Sequence, residues 1–209
     1  MLYEIIDEEG IVHSISLRPR PATRSKSHVF SVGQKAPRFA LYPQNMVCPT
    51  GKSKPAGWIQ SSELLKRPLV LAFFCEGWGE TYTAKMIEKF SEMNASVEKT
   101  GAEFLVLTQQ NPSALAKWTS KLNIQFTMAY DENNRIARLF GAYDAQNPVW
   151  DRVPGINGDV TTPAVFIINS QETFSFAALD RDFEFSWDDA AFQEALYADT
   201  INQNQLRYA

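Results

Sequence analysis

After the first thirty residues, the chain alternates short continuous apolar runs with segments whose apolar positions recur every three or four residues. The run Leu69–Phe74 has the length and composition of a buried strand. The segment from about Thr81 to Lys99 has the spacing of an amphipathic helix, and Gly101 after it is a common helix stop. Its predicted inward residues are Ala84, Ile87, Phe90, Met93 and Val97. These segments predict a strand in the middle of a sheet, followed by a helix on one face.

The same alternation continues to the end of the chain. Further strands are predicted at Glu103–Thr108, Phe126–Tyr130, Ala164–Ile168 and Thr173–Leu179. Further helices are predicted from the Asn111-Pro112 cap through Leu122, from Asn133 to Phe140 with Ile136, Leu139 and Phe140 inward, and from Trp187, capped by Ser186, with Phe192, Leu196 and Tyr197 inward. The order β-α-β-α-β-α-β-β-α predicts an α/β sheet covered by helices on both faces.

The first thirty residues follow a different pattern. Tyr3–Ile6 and Ile11–Leu17 flank a turn that contains Gly10, which predicts a small β-hairpin. Arg18–Ser27 is basic and proline-containing without apolar periodicity, as is typical of an exposed linker. We therefore divide the chain into residues 1–30, the hairpin and basic linker, and residues 31–209, the main domain. Since an isolated hairpin is marginally stable in water, it is expected to pack on this chain's core or on a second subunit.

Composition excludes several classes of function. The chain has 209 residues and a formal net charge of −4, which argues against nucleic acid as a partner. No run approaches the roughly 20 apolar residues that span a bilayer, and the acidic start differs from a secretory signal, so a cytoplasmic location without membrane attachment is expected. Both histidines lie in the N-terminal segment and the two cysteines are far apart in sequence, so neither a metal site nor a cofactor is expected.

One long segment interrupts the alternation. Residues 142–162 contain Pro148, Pro154, Gly155 and Gly158 without a predicted strand or helix. A loop of this length within a compact domain is usually functional or mobile.

Four stretches, in the same order and at compatible spacings, carry a family resemblance. They are Val32–Leu41, which is similar to the opening pattern G-x-x-A-P-x-F-x-L, Pro68–Trp78, Gly101–Thr108 and Thr162–Asn169. Together they resemble the alkyl hydroperoxide reductase/thiol-specific antioxidant (AhpC/TSA) family, the peroxiredoxin-like branch of the thioredoxin superfamily. The resemblance implies a thioredoxin-like, peroxiredoxin-like fold with a central mixed sheet and helices on both faces, to which the N-terminal β-hairpin is an addition.

The resemblance also locates the redox site, and the chain departs from the pattern there. Members with a redox dithiol resemble F-[FY]-x-x-x-W-C-x-x-C, which aligns Trp78 with the tryptophan but Gly79 and Tyr82 with the two cysteines. The peroxiredoxin pattern P-x-x-x-T-x-x-C places Tyr82 at the peroxide-attacking cysteine. Thr162 and Pro163 resemble the thioredoxin cis-proline pair that faces this site, so a cis bond is expected; Pro163 also stands where peroxiredoxins carry an arginine.

The missing thiols leave three hypotheses open. Thiol chemistry needs a thiolate activated near a helix N-terminus, and a tyrosine phenol cannot form a disulfide. The first hypothesis is a non-catalytic binding or regulatory protein that takes an unknown peptide, protein or small-molecule ligand at the vestigial site. The second is a single-cysteine, thiol-dependent antioxidant oxidoreductase with Cys75 as nucleophile, although Cys75 is also typical of a small buried core residue. The third is a homodimer assembled through the N-terminal hairpin.

Overall fold

The computed structural model describes residues 2–6, 12–16, 30–185 and 187–207 of the chain. The strands are β1 Leu2–Ile6, β2 Val12–Ser16, β3 Ala40–Leu41, β4 Met46–Val47, β5 Ile59–Gln60, β6 Leu69–Phe74, β7 Glu103–Thr108, β8 Thr127–Tyr130, β9 Ala164–Ile168 and β10 Phe174–Leu179. The helices are α1 Ser61–Leu64, α2 Glu80–Thr100, α3 Pro112–Lys121, α4 Arg135–Leu139 and α5 Asp189–Arg207. Single 3-10 turns lie at Pro43–Asn45, Glu76–Trp78, Glu132–Asn134 and Val149–Asp151.

Six strands form the central sheet in the order β10-β9-β6-β7-β8-β4. Strand β6 is parallel to β7, and β7 is parallel to β8. Strand β9 is antiparallel to both β6 and β10, and β4 runs antiparallel to β8 at the far edge. The predicted mixed sheet with Leu69–Phe74 in its middle is therefore confirmed.

Strand β6 shows why helices cover both faces. All six of its side chains are buried, and they point alternately to opposite sides of the sheet. Val70, Ala72 and Phe74 belong to a core shared with α2, α3 and α5. Leu69, Leu71 and Phe73 belong to a second core that includes residues of α4. A continuous apolar run is what a strand covered on both faces requires.

Helix α2 agrees with its predicted position, with one correction to its buried face. Gly101 follows it in the left-handed conformation, with φ 74°. Phe90, Met93 and Val97 are buried as predicted, but Ala84 is exposed. The buried stripe instead begins at Thr83, one position earlier. Since 3.6 residues make a turn, a spacing of three and four leaves the edge of the stripe uncertain by one residue.

Two other predicted inward residues are also wrong. Leu139 in α4 is 44% exposed and Tyr197 in α5 is 50% exposed, while their neighbours Phe140 and Leu196 are buried. Each exposed residue directly adjoins a buried one, and consecutive helical positions point about 100° apart.

The ends of the later helices follow from their caps. The side-chain oxygen of Asn111 accepts a hydrogen bond from the Ala114 amide at 3.0 Å, as predicted for the start of α3. Helix α5 begins at Asp189 rather than Trp187, because the Asp188 carboxylate accepts a hydrogen bond from the Ala191 amide at 2.9 Å. The predicted cap Ser186 lies outside the described residues.

Several short elements have no counterpart among the predictions. Strands β3, β4 and β5 have two residues each and α1 has four. A two-residue strand carries no periodicity, so it is identified only by its partner: Met46 pairs with Ala129, and Val47 pairs with Met128.

The predicted N-terminal hairpin is confirmed for the paired residues. Strands β1 and β2 are antiparallel, from the pair Leu2–Ser16 to the pair Ile6–Val12. The basic linker Arg18–Ser27 lies outside the described residues. The domain division at residue 30 stays a prediction. No helix in the described ranges is long and apolar enough to cross a membrane.

Candidate functional site

The residues that the sequence pattern aligns with a redox site lie where β6 ends and α2 begins. A 3-10 turn at Glu76–Trp78 leads from the strand to the helix, and Gly79 between them has φ 91° and ψ 149°. Side chains of L-residues rarely adopt that φ. Gly79 therefore fits a backbone conformation that strains any residue with a Cβ, including the cysteine that the family pattern carries there.

Tyr82, in the first turn of α2, is held by a buried carboxylate. Its hydroxyl donates a hydrogen bond to Asp180 Oδ2 at 2.5 Å, across 98 positions of sequence. Burial, followed by the neighbouring Asp180 carboxylate, raises the pKa of Tyr82 above its ordinary value. The phenol is thus a neutral donor, fixed in place by its partner.

Asp180 organises the loop that follows β10. It is 1% exposed and accepts hydrogen bonds from the amides of Glu184 at 3.0 Å and Phe185 at 2.8 Å. This loop brings Phe185 into a stacked contact with Tyr82, with ring centroids 4.3 Å apart, and Phe183 into contact at 4.7 Å. One carboxylate therefore binds the phenol and also shapes the loop that covers it.

Trp78 completes this cluster. Its indole nitrogen donates to the Thr161 carbonyl oxygen at 2.6 Å, and its side chain is 3% exposed. Its ring meets those of Tyr82 and Phe183 edge-on, at 5.6 and 6.1 Å. We call Trp78, Tyr82, Asp180, Phe183 and Phe185 the aromatic plug. It fills the site at which the family pattern places its thiols.

Cys75 lies under the same turn, in the apolar core. It is 7% exposed, and its sulfur accepts a hydrogen bond from the Gly77 amide at 3.4 Å. Burial, the largest cause, raises the pKa of Cys75 from 9.0 to about 11. Packing is tight, since a Cβ on Gly77 would lie 2.7 Å from a Val160 methyl carbon. A neutral, enclosed thiol is a poor nucleophile.

Thr162 and Pro163 are joined by a trans bond, so the expected cis bond is wrong: no peptide bond in the described residues is cis. The Thr162 amide donates to the Ala142 carbonyl at 2.6 Å, and the Asp180 amide donates to the Pro163 carbonyl at 2.9 Å. These contacts lead the chain into β9 in an extended path, which the ordinary trans geometry supports. The Thr162 amide and the Pro163 carbonyl are thus already hydrogen-bonded within the chain, so they are not available to an added peptide strand.

Comparison with known families identifies the relationship. The model of the AhpC/TSA family matches residues 32–176, more than half of the chain. The chain belongs to the AhpC/TSA family. No curated protein sequence matches it.

Solved structures agree on the fold of this AhpC/TSA chain. Peroxidoxin BcpB from Mycobacterium tuberculosis is 16% identical, with 83% of this chain and 98% of that chain covered and a TM-score of 0.56. Mycobacterium tuberculosis AhpC is 16% identical, with 86% and 97% covered and a TM-score of 0.58. A putative thiol:disulfide interchange protein DsbE from Chlorobium tepidum is 17% identical, with 84% and 99% covered and a TM-score of 0.52. At these identities the likeness establishes the fold alone.

Beside the plug, the AhpC/TSA chain has a cavity with charged lining residues that sequence reasoning missed. It is lined by residues of the long loop 142–162, for which a functional or mobile role is expected, and by Arg138, Arg152 and Arg181. The three arginines come from separate segments, so no motif connects them; the only sequence signal was the length of the loop. Among the described residues, no group of three or more His, Cys, Asp or Glu side chains is placed to hold a metal ion.

Proposed function

We propose that this AhpC/TSA protein is a non-catalytic binding or regulatory protein. The observation that carries the proposal is the hydrogen bond from Tyr82 to Asp180 at the position of the peroxide-attacking cysteine. A phenol with a raised pKa cannot replace a thiolate, and the rings of Phe183 and Phe185 contact it closely. The site therefore has neither the nucleophile nor the open space that thiol chemistry needs.

The environment of Cys75 supports the same proposal. With a pKa of about 11, roughly one molecule in a thousand carries the thiolate at about pH 8. A peroxidatic thiol requires the opposite shift, produced by a helix N-terminus or a neighbouring cation. The charge that acts on Cys75 is that of Glu76, which raises its pKa further.

The test is turnover by the full-length protein. Hydrogen peroxide and an alkyl hydroperoxide are supplied with dithiothreitol, and insulin reduction is assayed separately. We expect wild type, Cys75→Ser and Cys48→Ser to match a heat-denatured control. Turnover that disappears in Cys75→Ser and persists in Cys48→Ser would overturn the proposal and establish the single-cysteine enzyme.

A homodimer through the N-terminal hairpin is a second candidate role. The observation that favours it is that β1 and β2 pair with each other and with no other strand in the described ranges. Backbone groups at the outer edges of such a two-stranded sheet can pair with a second copy. Light scattering should give a dimer mass for the full chain and a monomer mass after deletion of residues 1–17. A monomer mass for the full chain would exclude this role.

A further inference from the structure

The cavity beside the aromatic plug concentrates cationic side chains. Its volume is about 370 Å³, and its lining includes Arg138 of α4, Arg152 of the long loop and Arg181 in the loop that follows β10. Asp144 and the hydroxyl-bearing Thr162 also line it. We call this cavity the arginine pocket. Three guanidinium groups and one carboxylate give its walls a formal positive charge.

Arg152 carries the strongest indication of a ligand. One terminal nitrogen donates a hydrogen bond to Thr162 Oγ1 at 2.7 Å, which fixes the direction of the side chain. The Nε and Nη1 atoms are buried and have no hydrogen-bond partner in the part of the chain that the structure describes. Burying charged donors without acceptors is costly, so folded proteins normally satisfy them. Because both atoms are shielded from solvent, an acceptor bound in the adjoining cavity satisfies them only once the Arg152 side chain turns toward it.

The charges around Arg152 also favour a bound anion. Burial, followed by the neighbouring Arg181 cation, lowers the pKa of Arg152, while Asp182 and Asp180 act in the opposite direction. Asp180 already accepts hydrogen bonds from Tyr82 and from two backbone amides in the plug. Two guanidinium groups that repel each other beside a cavity are stabilised by an anion between them.

Size and shape limit the class of anion. A cavity of about 370 Å³ is within the range of small-molecule sites and exceeds the space that a single inorganic ion needs. At the rim, the Arg138 guanidinium lies over the Tyr143 ring, 4.5 Å from its centre, so it is held in a defined orientation. The planar fork of a guanidinium matches the paired oxygens of a carboxylate or phosphate.

We propose that the arginine pocket binds a small organic anion through a phosphate or carboxylate group, with Arg152 as its principal donor and Arg181 and Arg138 beside it. This inference rests on the proposed function, which is that the protein binds a ligand and does not catalyse thiol chemistry. It adds the chemical class of that ligand. It places the ligand next to the plug, at Thr162, rather than at the former thiol positions.

The experiment is calorimetric titration of the full-length protein with sodium phosphate, pyrophosphate, succinate and citrate, against sodium chloride at matched ionic strength. We expect at least one oxyanion to bind and to raise Tm, and its identity separates phosphate from carboxylate recognition. Arg152→Gln should weaken binding ten-fold or more, since it removes hydrogen bonds between charged groups. Arg67→Gln is the matched control, because Arg67 is 53% exposed and pairs with Glu103 away from this pocket.

Two results would overturn the inference. One is that none of the four oxyanions binds more tightly than chloride. The other is that Arg152→Gln and a second variant, Arg181→Gln, both bind with wild-type affinity; the second variant covers the case in which Arg152→Gln does not fold. Peroxide turnover is assayed on the same samples. Turnover would contradict the non-catalytic role, whereas absence of both turnover and oxyanion binding would contradict the pocket inference alone.

Discussion

The aromatic plug and the arginine pocket adjoin each other and differ in how their polar atoms are satisfied. In the plug, the Trp78 indole and the Tyr82 hydroxyl both have acceptors, and Asp180 accepts three hydrogen bonds. In the pocket, Arg152 has one hydrogen bond to a described residue and two buried donors for which the described ranges offer no partner. A closed, satisfied site stabilises the fold, whereas an unsatisfied one is suited to a ligand. This difference is what we expect if a ligand binds in the arginine pocket and not at the aromatic plug.

The largest expected effect comes from Asp180→Ala, which would break the plug. The substitution leaves the Tyr82 hydroxyl and the amides of Glu184 and Phe185 without their buried acceptor. We expect the free energy of unfolding to fall by about 3–5 kcal/mol. Urea denaturation measures it, with the exposed Glu184→Ala as control, for which a change within about 0.5 kcal/mol is expected. Equal effects of the two variants would show that Asp180 does not hold the plug.

Alkaline pH tests the burial of the plug and of Cys75. The pKa of Cys75 is raised from 9.0 to about 11 in the folded protein, and that of Tyr82 is also raised. Between pH 9.0 and about pH 11, Cys75 is largely deprotonated in the unfolded chain and still protonated in the folded chain. The free energy of unfolding must therefore fall as pH rises through this interval. The Cys75 contribution is about 3 kcal/mol once both states are deprotonated. Cys75→Ala should lessen this loss above pH 9, and an unchanged pH profile would contradict the burial.

A smaller effect is expected from Tyr82→Phe, which removes only the hydroxyl. The ring contacts with Phe183 and Phe185 remain, while the hydrogen bond to the Asp180 carboxylate is lost. We expect a loss of about 1.5–3 kcal/mol in urea denaturation. Tyr197→Phe, at a half-exposed position on α5, is the control and should be nearly neutral. A neutral Tyr82→Phe would mean that ring packing alone closes the site.

The smallest expected effect is that of a substitution in the arginine pocket. It is expected to stabilise the protein, whereas the substitutions in the aromatic plug destabilise it. In buffer without oxyanions, Arg152→Gln should raise the free energy of unfolding by about 1 kcal/mol, since it removes a partly buried charge that Arg181 repels. Adding the oxyanion that binds wild type should then favour wild type over the variant. Destabilisation by Arg152→Gln in both buffers would assign Arg152 a purely structural role.

Sequence pattern predicted the large elements well, and the reason is their length. Leu69–Phe74 and the 21-residue helix α2 repeat one signal many times, and Gly101 marks the end of the helix. Strand β4 has two residues and is defined by β8, so no local signal exists for it. The edges of helical stripes, as at Ala84 and Leu139, depend on which neighbours pack there.

The candidate site also has a part that the sequence predicts and a part that it does not. The motif alignment identified Gly79 and Tyr82, because both stand at fixed distances from a recognisable strand. The partner of Tyr82 lies 98 positions away, and that contact exists only after folding. The arginines of the pocket likewise meet through tertiary structure, from α4, the long loop and the loop after β10. Spacing rules carry no information about such contacts.

The most direct test of the central claim is intact-mass spectrometry after a brief stoichiometric peroxide pulse with dimedone trapping. It compares wild type with Cys75→Ser, and with Cys48→Ser as the matched control. The buried, neutral thiol of Cys75 predicts no fast adduct that depends on Cys75. A rapid adduct present in wild type and Cys48→Ser but absent in Cys75→Ser would contradict the account and make Cys75 a redox nucleophile.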